Sequence, residues 1–135
     1  MRAYLRNEIE SASPARILEL LLNGALRFMS DAEREYQEGR VAEAREAASR
    51  AADIVTELSA TLRSDLAPEL ASALLPIYDF VIRRLLQCVL NDDLTALAEA
   101  KQTFDTIDEA FLVALDKALA EASGVSASSS TSVSP

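Results

Sequence analysis

Four runs of apolar residues at alternating three- and four-residue spacing, parted by short punctuation, constrain this 135-residue chain more than anything else in it. Leu18, Leu22, Ala25, Met29, Ala32 and Tyr36 form the first run. Ser13-Pro14 precedes it, a good N-cap followed by a residue suited to the first helical turn, and Gly39 closes it. Val41, Ala44, Ala48, Ala51, Val55, Leu58 and Leu62 form the second, alanine-rich in its first half and so open to close helix–helix approach. Ser64-Asp65 and then Pro68 punctuate the join to a third run ending near Leu90. Asn91-Asp92-Asp93 makes a turn and can cap the fourth: Leu94, Leu97, Ala100, Phe104, Ile107, Phe111, Ala114 and Ala118. The spacing is that of helices with one apolar face. Connections of a few residues make consecutive helices antiparallel neighbours. The expected fold is all-α, an antiparallel up-down four-helix bundle.

The third helix is too apolar for that role alone. A core helix needs an apolar stripe little more than ~100° wide. At about 100° per residue, Leu70, Leu74, Ile77, Val81 and Cys88 form one stripe, with Arg84 in line. Ala71, Leu75, Tyr78, Ile82, Leu85 and Val89 form a second beside it. One stripe can face the core; the other is surface that suits a partner, whether another protein or a second copy in a homodimer. Periodicity does not say which is which. Pro76 removes a backbone donor and clashes with the carbonyl of Ser72, so a kink is expected there. Arg83 shares the polar strip of Asp79 and Gln87 and reads as solvated, whereas Arg84 can pair with a carboxylate of another helix or meet a partner. Gly24, inside the first helix, costs roughly 1 kcal/mol against alanine. Close helix packing or an approaching partner backbone would account for it. Cys88 reads as a small core residue.

Composition closes off most chemistry. Without histidine there is no histidine acid–base catalysis, no Cys-His nucleophile and no Glu-x-x-His metal bundle. Glycine-rich phosphate loops are absent too, so no cofactor is expected. The net charge of −9, with no basic run beyond Arg83-Arg84, argues against nucleic acid and anionic membranes as partners. No apolar run reaches the ~18–20 residues of a membrane span. The N-terminus lacks a secretory core and the single cysteine cannot form an internal disulfide, which points to the cytoplasm. Residues 1–122 read as one bundle domain. Within it, residues 1–12 form a mobile N-terminal segment whose Tyr4, Leu5 and Ile9 share a helical face. Residues 123–135, rich in Ser, read as a disordered tail.

The segment Ser13-Pro14-Ala15-Arg16-Ile17-Leu18-Glu19-Leu20-Leu21-Leu22-Asn23-Gly24-Ala25-Leu26 resembles the first-helix signature of the bacterial flagellin chaperones, FliS, which opens with Ser-Pro and closes with Asp/Asn-Gly-Ala-Leu. Ile77-Tyr78-Asp79-Phe80-Val81-Ile82-Arg83-Arg84-Leu85 is similar to that family's third-helix Leu-Tyr-Asp-Tyr-Met with its following Arg and Leu. Phe111 stands where a tryptophan is frequent. The likeness spans about residues 1–120. Ala15-Arg16 in place of acidic residues, Leu22 in place of a common tyrosine, and Pro76 depart from the pattern.

The resemblance implies a cytoplasmic chaperone that binds the C-terminal helical segment of flagellin, prevents premature polymerisation and delivers it to the flagellar type III export gate. It implies no catalysis, metal or nucleotide. The flagellin-binding residues expected on this reading are Ile17, Leu20, Leu21 and Gly24 of the first helix and Ile54 and Leu58 of the second. The third adds Leu74, Tyr78, Val81, Ile82 and Leu85, with Arg84 as polar anchor. Tyr4, Leu5 and Ile9 would cap the groove when flagellin is absent. Two alternatives remain: a helical-bundle adaptor for another client, and a small all-helical enzyme resembling chorismate mutases, using Arg16, Arg83, Arg84 and Gln87.

Overall fold

The computed structural model describes residues 14–65 and 68–123. Four helices follow one another: α1 (Pro14–Gln37), α2 (Val41–Asp65), α3 (Pro68–Asn91) and α4 (Leu94–Ser123). No strand occurs among the described residues. The helices pack as a ring, α1 on α2, α2 on α3, α3 on α4 and α4 back on α1. This is the expected four-helix bundle. The expected mobile segment at 1–12 and the tail from 124 onward lie outside the described residues, as do the side chains of Leu70 and Phe111.

Punctuation works as its chemistry dictates. Pro14 opens α1, where its missing N–H costs nothing. Gly39 ends it at φ +78°, a left-handed backbone that a side chain resists. Its N–H bonds the Tyr36 carbonyl and that of Arg40 bonds the Glu35 carbonyl, the two bonds of a Schellman close. Asp92 ends α3 with φ +52° and an N–H bond to the Cys88 carbonyl. Asp93 then caps α4, its Oδ1 accepting the Ala96 N–H at 3.0 Å. Pro76 does not end α3, which continues through it to Asn91. Pro76 and Ser72 are both exposed, so water can satisfy the carbonyl that loses its partner.

The core follows a seven-residue rhythm. α1 buries Leu18, Leu22, Ala25, Met29 and Ala32, and α2 buries Ala44, Ala48, Ala51, Val55, Leu58 and Leu62. α3 contributes Ala71, Leu74, Tyr78, Val81, Leu85 and Cys88, and α4 contributes Leu97, Ala100 and Phe104. Steps of three and four alternate throughout, the spacing of knobs-into-holes packing between antiparallel helices. Val41 and Leu94, which open their runs at the first residue of α2 and α4, are 37% and 54% exposed and stand outside the core. The Tyr78 and Phe104 rings pack 5.7 Å apart, tilted by 35°, and join α3 to α4.

In α3 neither apolar stripe alone faces inward. The core face alternates between them: Leu74, Val81 and Cys88 from the first, Ala71, Tyr78 and Leu85 from the second. Centring the helix on the seam buries six residues and half-covers the members left over on each side.

Candidate functional site

Those leftover members are the first part of a site. Ile77 lies half-buried on one shoulder of α3, and Leu75, Ile82 and Val89 on the other. All four pack against the core from its edge. Leu21, Leu26 and Phe28 of α1, Ile54 of α2 and Ile107 of α4 do the same. The core is thus continued to the surface along the furrows between helices. Such a surface suits the apolar face of an added helix.

The furrow between α1 and α2 is the best defined. Ile17, Leu21, Gly24 and Phe28 recur at four- and three-residue steps on one flank of α1. Gly24 faces α2, where a Cβ built on it would meet Ile54 Cδ1 at 3.5 Å, an ordinary van der Waals contact. A methyl group would fit, so packing alone does not demand the glycine. The furrow then turns polar toward the 38–40 turn. There a recess of about 230 Å3 is lined by Phe28 and Ala47 together with Asp31, Glu35, Glu43 and Glu46, with Arg34 and Arg50 at its sides.

The expected site residues divide in two. Ile17, Leu20, Leu21, Gly24, Ile54, Ile82 and Arg84 are partly exposed at the surface. Leu58, Leu74, Tyr78, Val81 and Leu85 are corrected: each is buried in the core, so none lines an open groove. Their apolar character serves the fold, because the seam between the stripes is what faces inward. Tyr4, Leu5 and Ile9 lie outside the described residues. The expected set omits Phe28, although it continues the Ile17–Leu21–Gly24 register and was legible from spacing. It also omits Leu26, Leu75, Ile77, Val89 and Ile107, which only the rotation of each helix reveals.

Arg84 and Arg16 are each engaged in an ion pair within the protein. Arg84 Nη2 pairs with Glu99 of α4 at 2.6 Å and Nη1 donates to Gln87 Oε1 at 2.7 Å. Its Nε is buried with no hydrogen-bond partner among the described residues. Arg83 is exposed, as its polar strip indicated. Arg16 pairs with Glu19 one turn away at 2.5 Å. The arginine set a chorismate-mutase-like site would need is therefore dispersed or engaged with carboxylates rather than converging on a cavity.

One polar cluster ties the helix ends together. Asp92 accepts hydrogen bonds from Tyr36 of α1 at 2.8 Å and from Arg45 of α2 at 2.6 and 2.9 Å. The Arg45 bonds, then the Tyr36 bond, hold the Asp92 carboxyl below the usual carboxylate range. Burial and the hydrogen bonds to Cys88 and Asp92 push the Tyr36 phenol well above its ordinary value. Burial likewise raises the Cys88 thiol, whose Sγ lies 3.5 Å from the Tyr36 hydroxyl. A thiol held protonated in this way is a packing group and not a nucleophile. Among the described residues no cluster of carboxylates and thiols could hold a metal ion, and no helix is long and apolar enough to cross a membrane.

Comparison with known proteins places the sequence in a family. The family described as "Flagellar protein FliS" matches residues 1–118. A Salmonella typhimurium protein named flagellar secretion chaperone FliS is 34% identical over 116 residues, covering 82% of this chain and 86% of that one. A Bacillus subtilis protein of the same name is 30% identical over 99 residues, 73% of each chain. One from Vibrio cholerae is 25% identical over 118 residues, 79% of this chain and 87% of its own. A match along nearly the whole bundle, with relatives named as chaperones and none as an enzyme, shows that the chain belongs to the FliS family of flagellar secretion chaperones.

Proposed function

We propose that the protein is a cytoplasmic, non-catalytic export chaperone. On this reading it binds the C-terminal helical segment of flagellin, keeps flagellin from polymerising early and delivers it to the flagellar type III export gate. The observation that carries this is the set of half-buried apolar shoulders, Leu21, Phe28, Ile54, Leu75, Ile77, Ile82, Val89 and Ile107, which extend the core into the furrows. A segment that folds on binding can lay its apolar face along several furrows at once, offsetting its ordering cost by the area it buries. Gly24 supports the same reading by leaving room above Ile54. Arg84, at the α3–α4 furrow, is the polar anchor proposed for the client. Tyr4, Leu5 and Ile9 are proposed to occupy part of the surface until the client arrives.

Titration calorimetry of the full chain with a peptide of the flagellin C-terminus tests the proposal. Binding at peptide concentrations on the order of 10–100 μM is expected, equivalent to roughly −5.5 to −7 kcal/mol or better. Absence of heat and of any spectroscopic change at those concentrations refutes it. Recovery of a different, stoichiometric client by gentle purification from native cells would favour the adaptor reading instead.

A further inference from the structure

We propose that the client helix carries a Lys or Arg whose cation enters the recess beside the 38–40 turn. The inference rests on the client reading and names the chemistry of the segment bound. Helical spacing puts the α1–α2 furrow and the recess on one line. Ile17, Leu21, Gly24, Phe28, Asp31 and Glu35 follow at steps of four and three along α1, so they share a flank about 80° wide. Ile54, Arg50, Ala47 and Glu43 do the same in the reverse direction along α2. The two flanks meet at both levels. A Cβ on Gly24 would touch Ile54, and further along Phe28, Asp31, Glu35, Ala47 and Glu43 line the one recess. Phe28 belongs to both parts, packed on the edge of the core and forming part of the recess wall. A helix laid over Leu21, Gly24 and Phe28 is therefore led into the recess without a bend.

The wall selects a cation. Four carboxylates, Asp31, Glu35, Glu43 and Glu46, stand there against Arg34 and Arg50. Each arginine is engaged on its own helix, Arg34 by Asp31 at 3.1 Å and Arg50 by Glu46 at 3.5 Å. Arg40, outside the wall, pairs with Glu35. Glu43 is left with no ion pair or hydrogen bond among the described residues. The other pairs are exposed enough to be shared with an incoming charge. A metal ion is not the occupant, since no group of three or more carboxylates among the described residues could hold one. A Lys or Arg side chain fits on both counts. Its apolar stem lies along Phe28 and Ala47, where the ring also attracts the charge, and its head reaches the carboxylates. The volume of about 230 Å3 has room for one such side chain.

The geometry also fixes a spacing. Gly24 and the middle of the α1 wall, near residue 32, are separated by about 12 Å along the axis at 1.5 Å per residue. The basic residue of a helical client then stands about eight positions, or roughly two turns, from the residue seated over Gly24.

The test is titration calorimetry of the full chain with the flagellin C-terminal peptide. Parallel peptides have each Lys replaced in turn by norleucine and each Arg by citrulline, which keep the stem and remove the charge. One replacement is expected to weaken binding fivefold or more, by less as salt rises. The same replacement should cost less than twofold against Glu43→Gln, an exposed position whose change should leave helical circular dichroism intact. Glu46→Gln repeats the measurement from the neighbouring carboxylate. Tight binding that no replacement weakens overturns the inference and leaves the client reading standing. So does a sensitive basic position whose cost is the same in the native chain and in both variants. Absence of binding by the unmodified peptide refutes the client reading itself, and this inference with it.

Discussion

Replacing Gly24 with alanine separates what the fold needs from what a client needs. Gly24 sits inside α1 with ordinary helical backbone, the only positive-φ glycine among the described residues being Gly39. Alanine in a helix interior is better than glycine by about 1 kcal/mol, largely through the conformational freedom glycine loses on folding. The new methyl meets Ile54 Cδ1 at 3.5 Å and needs no rearrangement, so steric cost should not cancel that gain. Gly24→Ala is therefore expected to raise stability by about 1 kcal/mol, or roughly 4 °C in Tm for a chain of this size. Urea unfolding followed by circular dichroism, with calorimetry for Tm, measures it. The same methyl narrows the furrow between Leu21 and Ile54. A client seated there would be displaced or strained at a cost of about 1 kcal/mol or more, roughly fivefold or more in Kd. Destabilisation by Gly24→Ala would refute the packing argument. A raised Tm with unchanged flagellin-peptide affinity would remove Gly24 from the binding furrow.

Core and shoulder positions should respond differently to charge. Tyr78→Asp or Val81→Asp buries a carboxylate in the core and is expected to unfold the bundle, whereas Leu21→Asp or Ile82→Asp should keep helical circular dichroism while losing client binding in calorimetry. Phe104→Ala removes a fully buried ring that packs on Tyr78 and should cost about 3–5 kcal/mol in urea unfolding. Asp92 makes stability pH-dependent with a definite sign. Its carboxyl is held low in the folded state, so its contribution is present above the ordinary aspartate value of about 4 and is lost as pH falls through the lower folded one. The urea midpoint should fall more between pH 5 and pH 3 in the native chain than in Asp92→Asn, whose side chain also tolerates the left-handed backbone. Equal falls would remove Asp92 as a contributor.

Much of the fold was legible because it depends on short-range rules. The seven-residue rhythm from Leu18 to Ala32 and from Ala44 to Leu62, the stops at Gly39 and Asp92-Asp93, and the start at Pro14 each follow from local chemistry. The pairing of Arg84 with a carboxylate of another helix was legible as a class but not as Glu99, because sequence spacing says nothing about which helix lies alongside. The candidate site was less legible, and α3 shows why. Two adjacent stripes at helical spacing are both largely apolar, and only the positions of α2 and α4 decide the rotation between them. That rotation sent Tyr78, Val81 and Leu85 into the core and left Ile77, Ile82 and Val89 on the shoulders. By itself the sequence determined four helices, their order and an excess of apolar surface, since these depend on residues within a turn or two of one another. The tertiary structure alone decided which apolar residues became surface, because burial depends on neighbours that are distant along the chain.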